Sequence, residues 1–205
     1  MITLFTDITK PARLWFTALI SLACFSVATT VHAATQTWND GSANYLWNNT
    51  SLNWGGSVWT DGNDAVFGAT GVGAITVSGT RVVGNLTNTV SGYSFSGGTL
   101  SLAHLTATDV WNIGSGINLT NASDLTVNFT GGSTGGSFSK AGTGQLTLAG
   151  NISVTGVNAT TGSTFSVDAG TLTLNGSSSC NFTNARLKPF VSGANAVTIS
   201  GGTHS

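Results

Sequence analysis

Six short stretches of the chain alternate apolar residues with Thr, Ser or Asn: Ala74–Ser78, Thr99–Ala103, Leu125–Phe129, Gln145–Ala149, Thr171–Leu174 and Ala196–Ser200. Alternation at period two predicts strands with one buried and one solvated face. Ala65-Val66-Phe67 predicts the start of another. Gly97-Gly98, Gly131-Gly132, Gly135-Gly136, Gly142-Thr143-Gly144 and Gly201-Gly202 fall between or beside them and predict turns. The polar face is almost free of charge. Stacked strands set like residues over each other, where charges repel and Thr or Asn side chains hydrogen-bond.

The strands belong to a repeat. Phe138-Ser-Lys-Ala-Gly-Thr-Gly-Gln-Leu-Thr-Leu-Ala-Gly-Asn151 returns in part as Phe165-Ser-Val-Asp-Ala-Gly-Thr-Leu-Thr-Leu-Asn-Gly176, and earlier as Phe95-Ser-Gly-Gly-Thr-Leu-Ser-Leu-Ala103. Self-similarity at tens of residues predicts a solenoid. Gly98 and Gly144 are 46 residues apart, and Gly144 and Gly170 are 26 apart. A coil of about 20–25 residues fits two turns and one turn. A β-sandwich or jelly roll is the alternative all-β fold, but it gives the motif no reason to recur. No helix is predicted after residue 33, and Pro189 is read as lying in a loop between coils.

Composition narrows the class. Charged residues are 6% of the chain and glutamate is absent, against roughly a quarter charged in ordinary domains. The 40% apolar content opposes disorder. A net charge of −1, with scattered Arg81, Lys140, Arg186 and Lys188, recommends neither nucleic acid nor an anionic membrane as partner. Lys10 and Arg13, the apolar run Leu14 to Val31, and Val31-His32-Ala33 read as a signal peptide over residues 1–33, with an uncleaved anchor as the alternative. Cys24 lies within it, which leaves Cys180 alone and unable to bridge.

Residues 34–71 read as a tryptophan-rich N-terminal cap and residues 72–205 as β-helix repeats. Trp38, Trp47, Trp54 and Trp59 are the candidate functional side chains. They either plug the open end of the coil or stack on sugars. Catalysis has little to work with. Asp61 and Asp64 are the one close carboxylate pair, and a turn explains them better than acid–base chemistry or calcium. His104 has no partnered nucleophile. Gly142-Thr143-Gly144 precedes no helix and reads as a turn. No catalytic residue, metal site or cofactor is expected. The sequons Asn85-Leu86-Thr87 and Asn128-Phe129-Thr130 follow from composition. The final Gly-Gly-Thr-His-Ser205 looks like a repeat cut short, which predicts a fragment of a longer product.

Lys140-Ala-Gly142-Thr-Gly144-Gln-Leu146-Thr-Leu148-Ala-Gly150-Asn151, followed by Ala169-Gly170-Thr171-Leu172, resembles the autotransporter-associated β-strand repeat family, also called passenger-associated transport repeats. Thr37-Trp38, Trp47, Asn53-Trp54 and Gly62-Asn-Asp64-Ala-Val-Phe67 are similar to the head of large exported proteins that carry these repeats. The family's usual Tyr-Thr-Gly is replaced here by Ile152-Ser-Val-Thr155-Gly156. The resemblance implies a right-handed parallel β-helix of the single-stranded, pectin-lyase-like kind, at the cell surface or secreted. It implies a stalk, passenger or adhesin role without catalysis. A carbohydrate-binding surface module is the second expectation, and a polysaccharide-degrading β-helix enzyme the third. Surface polysaccharide and self-association through open solenoid edges are the expected partnerships.

Overall fold

The computed structural model describes residues 33–102, 108–129, 136–156, 163–189 and 196–204. The expected signal, apart from Ala33, and His104 lie outside the described residues. The described chain is an all-β solenoid of about five coils, with no helix among the described residues.

Three stacks of parallel strands run along it. The first holds β1 (Thr35–Trp38), β3 (Asp64–Phe67), β6 (Leu86–Asn88), β9 (Thr108–Ile113), β12 (Ser137–Ala141), β15 (Thr164–Val167) and β17 (Arg186–Pro189). The second holds β2 (Leu46–Trp47), β4 (Ala74–Val77), β7 (Ser94–Ser96), β10 (Asn118–Asn121) and β13 (Gln145–Leu148). The third holds β5 (Thr80–Val83), β8 (Thr99–Leu102), β11 (Asp124–Asn128) and β14 (Ile152–Thr155). β16 (Thr171–Thr183) continues the second stack with its first half and the third with its second half, and β18 (Ala196–His204) pairs along it.

Register explains the repeat. Leu146 sits over Leu119 and under Leu172, and Phe138 pairs with Phe165. Their side chains point inward and are fully buried. Outward neighbours match too, with Thr120, Thr147 and Thr173 in one ladder. Coil length varies more than the sequence spacing suggests. Register partners are 19 residues apart between Arg81 and Leu100, and 29 apart between Asp109 and Phe138.

Three sequence expectations are corrected. Thr99–Leu102 lies in the third stack whereas Gln145–Leu148 lies in the second, so Gly98 and Gly144 are not separated by whole turns. Similar strand sequences serve two stacks because both need the same alternation. Pro189 ends β17, paired with Val167, instead of lying in a loop. At a strand end its missing N–H costs no ladder bond. Gly201 and Gly202 lie within β18 instead of ending it, although the pairing with β16 shifts register at this point: Gly201 pairs with Gly176 and Thr203 with Ser179.

At the corner between β12 and β13 the coils approach each other through bare backbone. A Cβ on Gly144 would collide with the carbonyl oxygens of Gly114 and Ile117 in the preceding coil. Gly116 has φ +70° but open space around its α-carbon. Gly144→Ala is therefore expected to cost about 3 kcal/mol, the scale of a forced overpacking. Gly116→Ala costs about 1 kcal/mol, the left-handed strain alone. Urea denaturation of the two variants checks the order, and equal losses would contradict the stacking argument.

Candidate functional site

The four tryptophans named from the sequence come together at the β1 end of the solenoid. Trp38, Trp47, Trp54 and Trp59 are each at most 1% exposed. Trp54 is central, with ring centroids 5.3 Å from Trp38, 4.9 Å from Trp47 and 4.4 Å from Trp59. The cluster continues into the first coils through Phe67 and Phe95, both 5.6 Å from Trp47. Placed so, no ring offers a face to a sugar.

The segment that carries Trp54 and Trp59 also covers the edge of β1. Asn39 N donates to Asn53 O at 2.8 Å, and Trp38 and Trp54 form an antiparallel bridge. Gln36 Nε2 donates to Val58 O at 2.8 Å, while its Oε1 accepts from Thr60 N at 2.9 Å. An edge closed by its own chain cannot template another strand. Asn53, fully buried, ties the turn before β2. Its Oδ1 accepts from Ser42 N, and its Nδ2 donates to Asn44 Oδ1 and Leu46 O. That turn holds Asp40, Ala43 and Tyr45 at positive φ.

Asp61 and Asp64 are each committed to other groups. Asp61 Oδ1 accepts from Trp59 Nε1 and Val82 N, both at 2.9 Å, and Oδ2 accepts from Asn49 Nδ2 at 3.0 Å. Arg81 approaches the same Oδ2 at 3.4 Å. Asp64 Oδ1 accepts from Asn85 N at 2.7 Å, and the Asn85 amide spans both carboxylate oxygens. Asn85 Oδ1 then accepts from Val110 N in the following coil. This ladder occupies the Asn85 amide, the atom a glycan would need. It recurs in the third stack, where Asp124 Oδ1 accepts from Asn151 N and Nδ2 and Asn151 Oδ1 accepts from Ser179 N. Among the described residues no His, Cys, Asp or Glu cluster could hold a metal. Cys180 is a buried free thiol, and burial pushes it up to about 11.

No protein-family model, curated protein or solved structure matches this chain.

The most unusual group is a lysine that stands in the sequence as one letter of the repeat and one of four scattered basic residues. Lys140 points inward from β12, level with Trp111 and Val167, and is fully buried. Its Nζ donates to the carbonyl oxygens of Gly142 and Gly144 at 2.6 Å, Ala169 at 2.9 Å and Ala141 at 3.1 Å. Three of these belong to its own corner and Ala169 belongs to the next coil. Glycines at 142 and 144 let the corner curl so that its carbonyls turn inward. The cage replaces the water that a buried ammonium loses. Among the described residues no carboxylate accepts an Nζ hydrogen bond, so the group is held by dipoles.

Two outcomes follow from this cage. Lys140→Met strands carbonyls that the ammonium satisfied, and should cost about 2–3 kcal/mol in chemical denaturation. Burial lowers Lys140 from the usual 10.5 to about 8. Between those values the unfolded chain keeps a proton that the folded chain has released, so stability rises with pH across that window and is level below it. Denaturation midpoints at pH 7, 8, 9 and 10 check this. The slope should be absent from Lys140→Met, and its survival there would assign it to another group.

Proposed function

We propose that this chain is a non-enzymatic structural part of an exported surface protein, the N-terminal portion of a β-helical passenger or stalk of the autotransporter type. The observation that carries this reading is where the polar side chains go. Asp40, Asp61, Asp64 and Asp124 all accept backbone N–H groups, and Lys140 binds backbone carbonyls. These are the groups an enzyme would place in a cleft, and here they hold turns and coils in register. Resemblance of the Lys140–Asn151 run to passenger-associated repeats supports the same conclusion, as does the signal-like start of the sequence. A stalk is served by this construction because each coil contacts only its neighbours, so length can grow without redesign of the core. The aromatic cap serves it too, since it closes the first edge against unwanted strand addition.

Protease shaving of intact source cells tests the assignment. The chain, followed by an antibody against residues 34–205, should disappear on treatment with proteinase K while a cytoplasmic marker survives. Protection in intact cells, with digestion only after lysis, would overturn the exported-surface reading.

A further inference from the structure

A groove of about 290 Å³ crosses the outer side of the third stack, spanning β8, β11, β14 and β16. Its polar lining is Thr99, Asp124, Thr126, Asn151, Ser153 and Ser179, together with Asn181. In-register pairing sets Thr126 beside Ser153 and Ser153 beside Asn181, so hydroxyl and amide groups recur once per coil. Adjacent parallel strands lie about 4.8 Å apart, close to the size of one sugar ring. A chain of sugars laid along the coil axis would therefore meet a similar polar group at each unit.

The charge in the groove narrows the ligand. Asp124 is the one ionisable residue in the lining, and no cation lines it. The two Asp–Asn ladders provide an internal comparison. At Asp64 the Asn85 amide reaches both carboxylate oxygens, whereas at Asp124 both hydrogen bonds from Asn151 fall on Oδ1. Asp124 Oδ2 thus keeps its acceptor capacity in a groove that Thr99 and Thr126 also line. A carboxylate oxygen set among hydroxyls complements an ammonium set among hydroxyls.

We infer that this groove is a binding site for an amino-sugar oligosaccharide, with the sugar's ammonium on Asp124 Oδ2 and its hydroxyls on Thr126, Ser153 and Asn181. The site is a property of the folded coil and holds wherever the chain resides, so it stands or falls apart from the surface-stalk assignment. A groove without aromatic lining gives modest affinity, in the range that benefits from several contacts along one ligand.

Titration of the full chain with the glucosamine hexamer, followed by calorimetry or NMR shifts, is the test. The N-acetylglucosamine hexamer, the galacturonate hexamer and hexalysine are the comparison ligands. The glucosamine hexamer should bind at least 10-fold more tightly than its acetylated form, and the galacturonate hexamer and hexalysine should not bind. Asp124→Asn keeps an oxygen for Asn151 N and should erase the preference for the free amine. Ser153→Trp, on an exposed position, should fill the groove and abolish binding with an unchanged melting temperature. No binding by the glucosamine hexamer, equal binding of the two glucosamine forms, equal binding of hexalysine, or indifference to both variants would each overturn the assignment.

Discussion

In-register stacking of parallel strands is the constraint from which the rest of this molecule follows. Each residue must tolerate a near copy of itself one strand spacing above and below. Leucine over leucine and phenylalanine over phenylalanine fill the interior without gaps. Threonine over threonine can exchange hydrogen bonds outside, while charge over like charge is repelled. The near-absence of lysine, arginine and acidic residues is thus a consequence of the stack, not an independent feature. Corners obey the same rule more severely, because there the backbones themselves touch. That is why Gly144 meets the carbonyls of the preceding coil with nothing between them.

Lys140 is the exception that shows how strict the rule is. Among the described residues it is the one buried lysine or arginine, at the level where Trp111 precedes it and Val167 follows, so no second ammonium stands over it. It is accepted because the corner supplies three carbonyl oxygens and the next coil a fourth. Its bond to Ala169 makes the arrival of the next coil part of its own solvation. Desolvation by burial lowers its proton affinity. What offsets it is a corner that would otherwise leave those carbonyls with fewer donors. The Lys-x-Gly-x-Gly spacing is one device: the lysine provides the cation and the glycines let the backbone turn its oxygens toward it.

Several strands of the second and third stacks were legible in the sequence because they keep clean alternation, as in Gln145–Leu148 and Leu125–Asn128, but β5, β7, β10 and β14 were not named and the two stacks were not told apart. The first stack was mostly hidden. Phe138, Ser139 and Lys140 are consecutive and all buried, and Asn88 and Asp109 are buried polar residues at inward positions, so period two is lost there. The cap was legible as a cluster of tryptophans able to plug the open end, but the hydrogen bonds that close the edge, between Gln36 and Val58 and Thr60, were not. The Asp–Asn ladders left no periodic trace because their members are 21 residues apart at Asp64–Asn85 and 27 apart at Asp124–Asn151. The burial of Lys140 carried no signal in the sequence, because a lysine is ordinarily a surface residue. Only the carbonyls of residues distant in sequence reveal otherwise.

The same economy that builds the coil also divides its labour. Inward and corner positions are the ones that stacking constrains most tightly. The outward positions of the second and third stacks are where residue identity can change at little cost to the fold. There the ladder imposes regular spacing without dictating which polar group stands at each step. Substituting Asp for Thr at one step, as Asp124 follows Thr99 in register, places a charge without a like neighbour directly in the ladder. Such a surface suits recognition of a repeating polymer better than of a compact substrate. A compact substrate needs convergent groups in a concave pocket, whereas a polymer needs modest contacts repeated in step with its own units.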